Sequence, residues 1–188
     1  MGTIKTTNIE PIADNGTVTL GSSGDTFSLG SGVLQSNLMN PAWFVNLSAD
    51  QSVSDGVATK VQFNNEIFDT DNIYDNSSNY RITIPSGKAG KYYIETNIFV
   101  DSMAVSNLSR AIVYIYKNNV LTVQSFVDFR TAGYSQKINI PASAIMNLAV
   151  GDYIEIFTYC DTISSANGQF RGDSSVSESW FQGFRIGS

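Results

Sequence analysis

Histidine is absent from this 188-residue chain, and Cys160 is its only cysteine. Without an imidazole, Ser-His-Asp and Cys-His nucleophile systems cannot be assembled, and neither can a zinc site built from several nitrogen or sulfur ligands. A single cysteine also excludes an intrachain disulfide. The fold has to rest on packing, and Cys160, closing the run Tyr153 to Cys160, reads as a small buried hydrophobe. Charge is scarce: 15% of residues are charged, 11 basic against 17 acidic, for a net charge of −6. No Lys/Arg cluster appears, so nucleic acid is not expected as a partner. No segment approaches the roughly 18 apolar residues of a membrane span, and the opening MGTIKTTNIEP has no apolar core of a signal peptide, so neither membrane insertion nor Sec-type export is expected.

Hydrophobic residues make up 42% of the chain, enough for a sizeable core in one medium domain, or in a domain with a short appendage. The polar residues are mostly neutral, with 17 Asn, 24 Ser and 14 Thr. Such a surface suits exposure outside a cell or on a particle.

Residues 1–36 differ in texture from the rest. Val18-Thr19-Leu20-Gly21 is echoed nine residues later by Phe27-Ser28-Leu29-Gly30, each a brief alternating strand closed by a Gly/Ser turn. A unit that small cannot bury its apolar side chains within one chain. The segment is therefore expected to attach the protein to something or to interwind with copies of itself, the alternative being a flexible Gly/Ser linker. From Pro41 onward the pattern is short strands and closely spaced turns. Nine strands are expected: Ala42 to Ser48, Val57 to Phe63, Asn79 to Ile84, Lys91 to Val100, Arg110 to Lys117, Val120 to Asp128, Tyr134 to Ile140, Tyr153 to Cys160 and Trp180 to Ile186. That density means an all-β sandwich or barrel. Asn118-Asn119 predicts a tight hairpin, and only Ala142 to Val150 looks able to form a helical turn.

Two strands carry more apolar surface than one sandwich face accounts for. Ala111 to Tyr116 is apolar on both faces, and Tyr153 to Cys160 pairs an aliphatic face with one of Tyr153, Glu155, Phe157 and Tyr159. Tyrosine can bury its ring at an interface and still find a partner for its hydroxyl, so self-association is expected, with Trp43, Tyr114, Phe157 and Tyr159 as its contacts.

The order of motifs resembles the C1q domain, a trimeric jelly roll related to the tumour-necrosis-factor fold. Phe63, Asp69 and Tyr74 stand at the spacings of the family's opening signature. Ile82 and Gly90-Lys91-Tyr92-Tyr93-Ile94 follow, with Ile82 and Ile94 where the family usually has Phe and with longer gaps around Ile82. Ile115 to Asn119, Leu148 to Ile154 and Phe181-Gln182-Gly183-Phe184-Arg185-Ile186 complete the series. The resemblance spans Pro41 to Ile186 and implies a ten-stranded jelly-roll head, residues 37–188, packed as a homotrimer. The N-terminal segment resembles parts of fibre and appendage proteins of tailed bacteriophages. Together these imply a non-enzymatic virion structural protein, a fibre head or a capsid or tail appendage. Residues 1–36 would hold it to other virion proteins, and the head would meet a host-surface glycan or protein. A bacterial cell- or spore-surface adhesin and a polysaccharide depolymerase are the alternatives, the last because glycoside hydrolysis needs only two carboxyl groups.

No cofactor and no metal site are expected. Glu66, Asp69, Asp71 and Asp75 gather in one stretch, but Ile73 stands where an EF-hand needs a third ligand. Arg171-Gly172-Asp173 spells an adhesion tripeptide inside a Gly/Ser/Asn-rich stretch expected to be a long loop joining the last two strands, with chance as the default explanation. Long loops on a rigid jelly roll are where recognition is expected.

Overall fold

In the computed structural model the described residues are 41–130 and 135–187. The expectations for residues 1–36 lie outside them. The chain runs through β1 (Ala42–Asn46), β2 (Ala49–Val53), β3 (Thr59–Lys60), β4 (Asn65–Asp69), β5 (Tyr74–Asp75), β6 (Arg81–Thr83) and β7 (Gly90–Asp101). It continues through β8 (Leu108–Lys117), β9 (Val120–Asp128), β10 (Lys137–Leu148), β11 (Tyr153–Thr162), β12 (Gly168–Asp173) and β13 (Trp180–Gly187). All nine expected strands are present, in whole or in part. The count exceeds ten because short pieces stand apart, β3 and β5 being two residues each.

Every strand pair is antiparallel, and the strands form two sheets. In the first, β10 pairs along the length of β7, and β12 and β13 divide the other side of β7 between them. β13 is followed by β1 and then β4, while β2 pairs with β12. In the second sheet the order is β5, β6, β11, β8, β9, with β3 also on β11. Between the sheets lie Trp43, Phe63, Tyr92, Phe170, Phe181 and a set of isoleucines, all fully buried. Period-two alternation puts these side chains inward and leaves each sheet a second face looking away from the core.

Two local expectations change. Ala142 to Val150 is not a helical turn: it lies largely in β10, paired residue for residue with β7 from Lys137 opposite Asp101 to Leu148 opposite Gly90. Ile140, Ala142, Met146 and Leu148 are buried while Ser143, Ile145 and Asn147 between them are exposed. A two-residue burial period of this kind satisfies a strand and cannot satisfy a helix. The loop between the last two strands likewise holds β12. The Arg171 guanidinium pairs there with Asp50 at 2.9 Å and Glu178 at 3.4 Å. An added Cβ on Gly172 would meet the Ala49 carbonyl oxygen at 2.3 Å. The tripeptide is thus part of a paired strand with its arginine engaged by the chain's own carboxylates.

Turn residues explain two of the motifs. Asn118 and Asn119 have φ of 51° and 63°, the left-handed pair that a two-residue hairpin requires. Gly151 has φ of 85°, and Asp152 beside it accepts from the Ala149 amide at 2.8 Å and the Asn118 side-chain amide at 2.7 Å while pairing with Lys117 at 2.8 Å. The Gly-Asp of the sequence motif is therefore a turn and its clamp.

Candidate functional site

The sandwich offers two outward sheet faces. On the second sheet, β11, β8 and β9 set side chains in rows: Asp161, Arg110 and Asp128; Tyr159, Ile112 and Phe126; Phe157, Tyr114 and Gln124; Glu155, Tyr116 and Leu121. Tyr114, Phe157 and Tyr159 therefore stand together, as the strand pattern implied. Trp43 does not join them. It is 0% exposed between the sheets, with ring centroids 5.4 Å from Phe181 and 6.4 Å from Tyr92. Its assignment as a contact of self-association is corrected to the core, because β1 is a central strand of the first sheet and Trp43 takes one of its inward positions.

Three aromatic rings of this face carry one of the chain's own cations. Lys60 lies 5.5 Å from the Phe157 centroid, Arg81 4.1 Å from Tyr153 and Arg110 4.8 Å from Tyr159. Lys60 also pairs with Glu155, and one Arg110 nitrogen donates to the Tyr159 hydroxyl at 2.9 Å. The part left open is at β8 and β9, where Arg110, Ile112, Gln124, Phe126, Asp128 and Arg130 line a trough of about 340 Å³. Arg130 grips Asp128 through its backbone amide, its Nε and a terminal nitrogen. The bonds to that arginine hold the Asp128 carboxyl down at about 2.

The outward face of the first sheet is different in kind. Phe44 packs against Phe68 and Trp180 with centroids 6.3 and 6.1 Å away, and Tyr93 packs against Phe184 at 5.5 Å. Phe68 is 48% exposed and Ile145, opposite Tyr93, is 66% exposed. No cation stacks on these rings among the described residues. In the middle the Gln182 amide donates to Glu95 at 2.8 Å, a neutral-to-charged pair flanked on both sides by aromatic groups. The strand patterns did not single out this face, because its aromatic members come from four different strands with one or two residues each.

The acidic stretch is used structurally. Asp69 accepts from the amides of Asp71 at 3.2 Å and Tyr74 at 2.7 Å, and Asp71 pairs with Lys88 at 2.8 Å. Asp75 accepts from the amides of Ser77, Ser78 and Asn79 and from the Asn79 side chain. These backbone donors push the Asp75 carboxyl well below the carboxylate range, as the Lys88 pairing lowers Asp71, and Lys117 with Asn118 holds Asp152 at about 2. Burial pushes the Cys160 thiol the other way, up to about 12.

The lowered carboxyls set an acid limit. A carboxyl whose folded value lies below its ordinary value near 3.9 contributes stability that is complete above that value and disappears as pH falls through the folded one. The urea midpoint is expected to be level from pH 7 to about 5 and to drop between about pH 4 and 2. Asp152→Asn should start lower and fall less over the same range; an equal fall would remove Asp152 from this account.

No family model matches the sequence, and no curated protein matches it. Solved structures do. The globular domain of zebrafish complement 1qA protein superposes with a TM-score of 0.55 at 16% identity, covering 78% of this chain and 98% of that one. A tumour-necrosis-factor protein, Eiger of S. frugiperda, gives 0.56 at 10% identity, covering 79% and 95%. The chain therefore has the C1q/TNF-like jelly-roll fold.

Proposed function

We propose that this chain is a non-enzymatic structural protein of a tailed-bacteriophage virion, a homotrimeric fibre head or capsid or tail appendage whose head contacts the host surface. The observation that carries the trimer is the outward aromatic face of Phe44, Phe68, Tyr93, Trp180 and Phe184, of which Phe68 is exposed and the other four are half-buried. Large aromatic side chains bury 150–250 Å² each and dominate interfaces, so a face of five of them on which no cation of the described residues stacks favours a second and third copy. The other outward face is then left to solvent and partners. The neutral polar surface supports a place outside the cell, and the resemblance of residues 1–36 to phage appendage segments supports attachment to other virion proteins through them. Weak contacts repeated three times gain by avidity.

Phe68→Ser removes an exposed ring at the edge of β4 without opening the core. It is expected to raise the trimer's dissociation constant by about tenfold or more, the equivalent of about 1.4 kcal/mol, measured by light scattering across a dilution series. Phe157→Ser, on the cation-covered face, should leave assembly unchanged. If Phe157→Ser dissociates the trimer and Phe68→Ser does not, the contact lies instead on the face of Tyr114, Phe157 and Tyr159. Antibody labelling of purified particles tests the virion placement; a protein absent from them is not an appendage.

A further inference from the structure

The trough at β8 and β9 is rich in hydrogen-bond donors. A guanidinium has five N–H donors. Among the described residues Arg110 uses one, a terminal nitrogen to the Tyr159 hydroxyl, while its Nε is buried away from the trough without a partner, which leaves the other terminal N–H groups for a ligand. The nearby carboxylates have partners of their own. Asp128 gives both oxygens to Arg130, and Asp161, opposite Arg110 on β11, accepts from the Ser109 hydroxyl at 2.8 Å. Among the described residues no hydrogen bond joins Arg110 to either carboxylate, so its terminal N–H groups have room for a further acceptor, and a planar carboxylate is the group that fits a guanidinium fork.

A small inorganic anion would satisfy Arg110 and leave the rest of the trough unused. Phe126, opposite Ile112 on the neighbouring strand, is 60% exposed and forms an apolar floor, and Gln124 supplies a carboxamide two residues along. The volume of about 340 Å³ lies within the usual range for small-ligand sites, roughly 300–1,000 Å³. A ring with one apolar side, hydroxyl groups at its edge and a carboxylate at one end matches these three features together.

We propose that this trough binds an acidic pyranose of a host-surface glycan, its carboxylate on Arg110, its ring stacked on Phe126 and a hydroxyl on Gln124. The identity of the partner as a surface glycan rests on the adhesion reading above; the site itself rests on the trough.

The test is saturation-transfer NMR on the full chain with methyl β-D-glucuronide and methyl β-D-glucoside, which differ at one end of the ring by a carboxylate. The expected result is transfer to the ring protons of the glucuronide and affinity for the glucoside weaker by about tenfold, the scale of a lost charge-assisted pair. Phe126→Ala, whose ring is too exposed to hold the fold, and Arg110→Gln should each abolish or strongly reduce the transfer. Absence of transfer to the glucuronide overturns the proposal, as does transfer that survives Phe126→Ala. Equal affinity for the two sugars overturns the role given to Arg110. Light scattering on the same samples separates the two readings: a trimer without transfer loses the trough and keeps the assembly, whereas a monomer with transfer does the reverse.

Discussion

Gly183→Ala is expected to destabilise the head by about 3 kcal/mol or more. A Cβ built at Gly183 would lie 2.4 and 2.5 Å from two carbons of the Trp43 indole and 2.6 Å from the Tyr93 carbonyl oxygen. Neither neighbour can give way cheaply. The indole is held between Phe181 and Tyr92, and the carbonyl belongs to β7, a strand paired on both sides. At an open position the same substitution would be neutral or mildly stabilising, because alanine restricts the unfolded chain. Gly187, four residues along the same strand, has open space where its Cβ would be and is the control. Urea unfolding should place the Gly183→Ala midpoint far below that of Gly187→Ala; equal midpoints would mean that Trp43 does not press on the strand.

Trp43→Ala should cost about 3–5 kcal/mol, the usual scale for deleting a large aromatic from a core. Trp43→Phe should cost much less. The indole Nε1 is buried without a hydrogen-bond partner, so phenylalanine sacrifices volume but no bond. The two sites touch, and their effects should not add. In a Trp43→Ala background, Gly183→Ala is expected to cost about 1–2 kcal/mol less than in the wild type, with the remainder set by the Tyr93 carbonyl. Strict additivity would separate the two residues. If Trp43→Ala instead leaves stability intact and only dissociates copies, its place in the core is wrong.

Much of this fold is legible in the sequence because strand signals are local. Asn118-Asn119 announces its own backbone angles, and Gly151-Asp152 carries both the residue that turns and the residue that fastens the turn. Phe181 and Gly183 alternate toward the core, and the glycine of that motif is explained once Trp43 is seen lying across it. Other features depend on partners distant in the chain. The run Ala142 to Val150 contains good helix formers, and only the pairing with β7 makes it a strand. β4 is obscured by an irregularity opposite Phe44 and Val45 that leaves Ile67 and Phe68 both outward, so its alternation is broken. The candidate faces are less legible still. Nothing near Phe157 in sequence says that Lys60 covers it, and nothing near Phe44 says that Phe68 and Trp180 will meet it. Trp43 was misplaced for a related reason: an isolated tryptophan in a short strand does not disclose which side of the sheet it takes.

β10 has a further consequence. Among the described residues β7 is its only ladder partner, and apart from the Asn147 carbonyl, which accepts from Lys117 at 2.9 Å, and the Lys137 carbonyl, which accepts from the Ser135 hydroxyl at 3.0 Å, no side-chain bond reaches the backbone of its other flank, so that flank is a place where an incoming strand could pair. Pro141, in the middle of that strand and facing water, has no amide hydrogen to offer an incoming chain, and Lys137 places a charge near one end. A proline and a charge on an open strand are the features that discourage edge-to-edge pairing between copies.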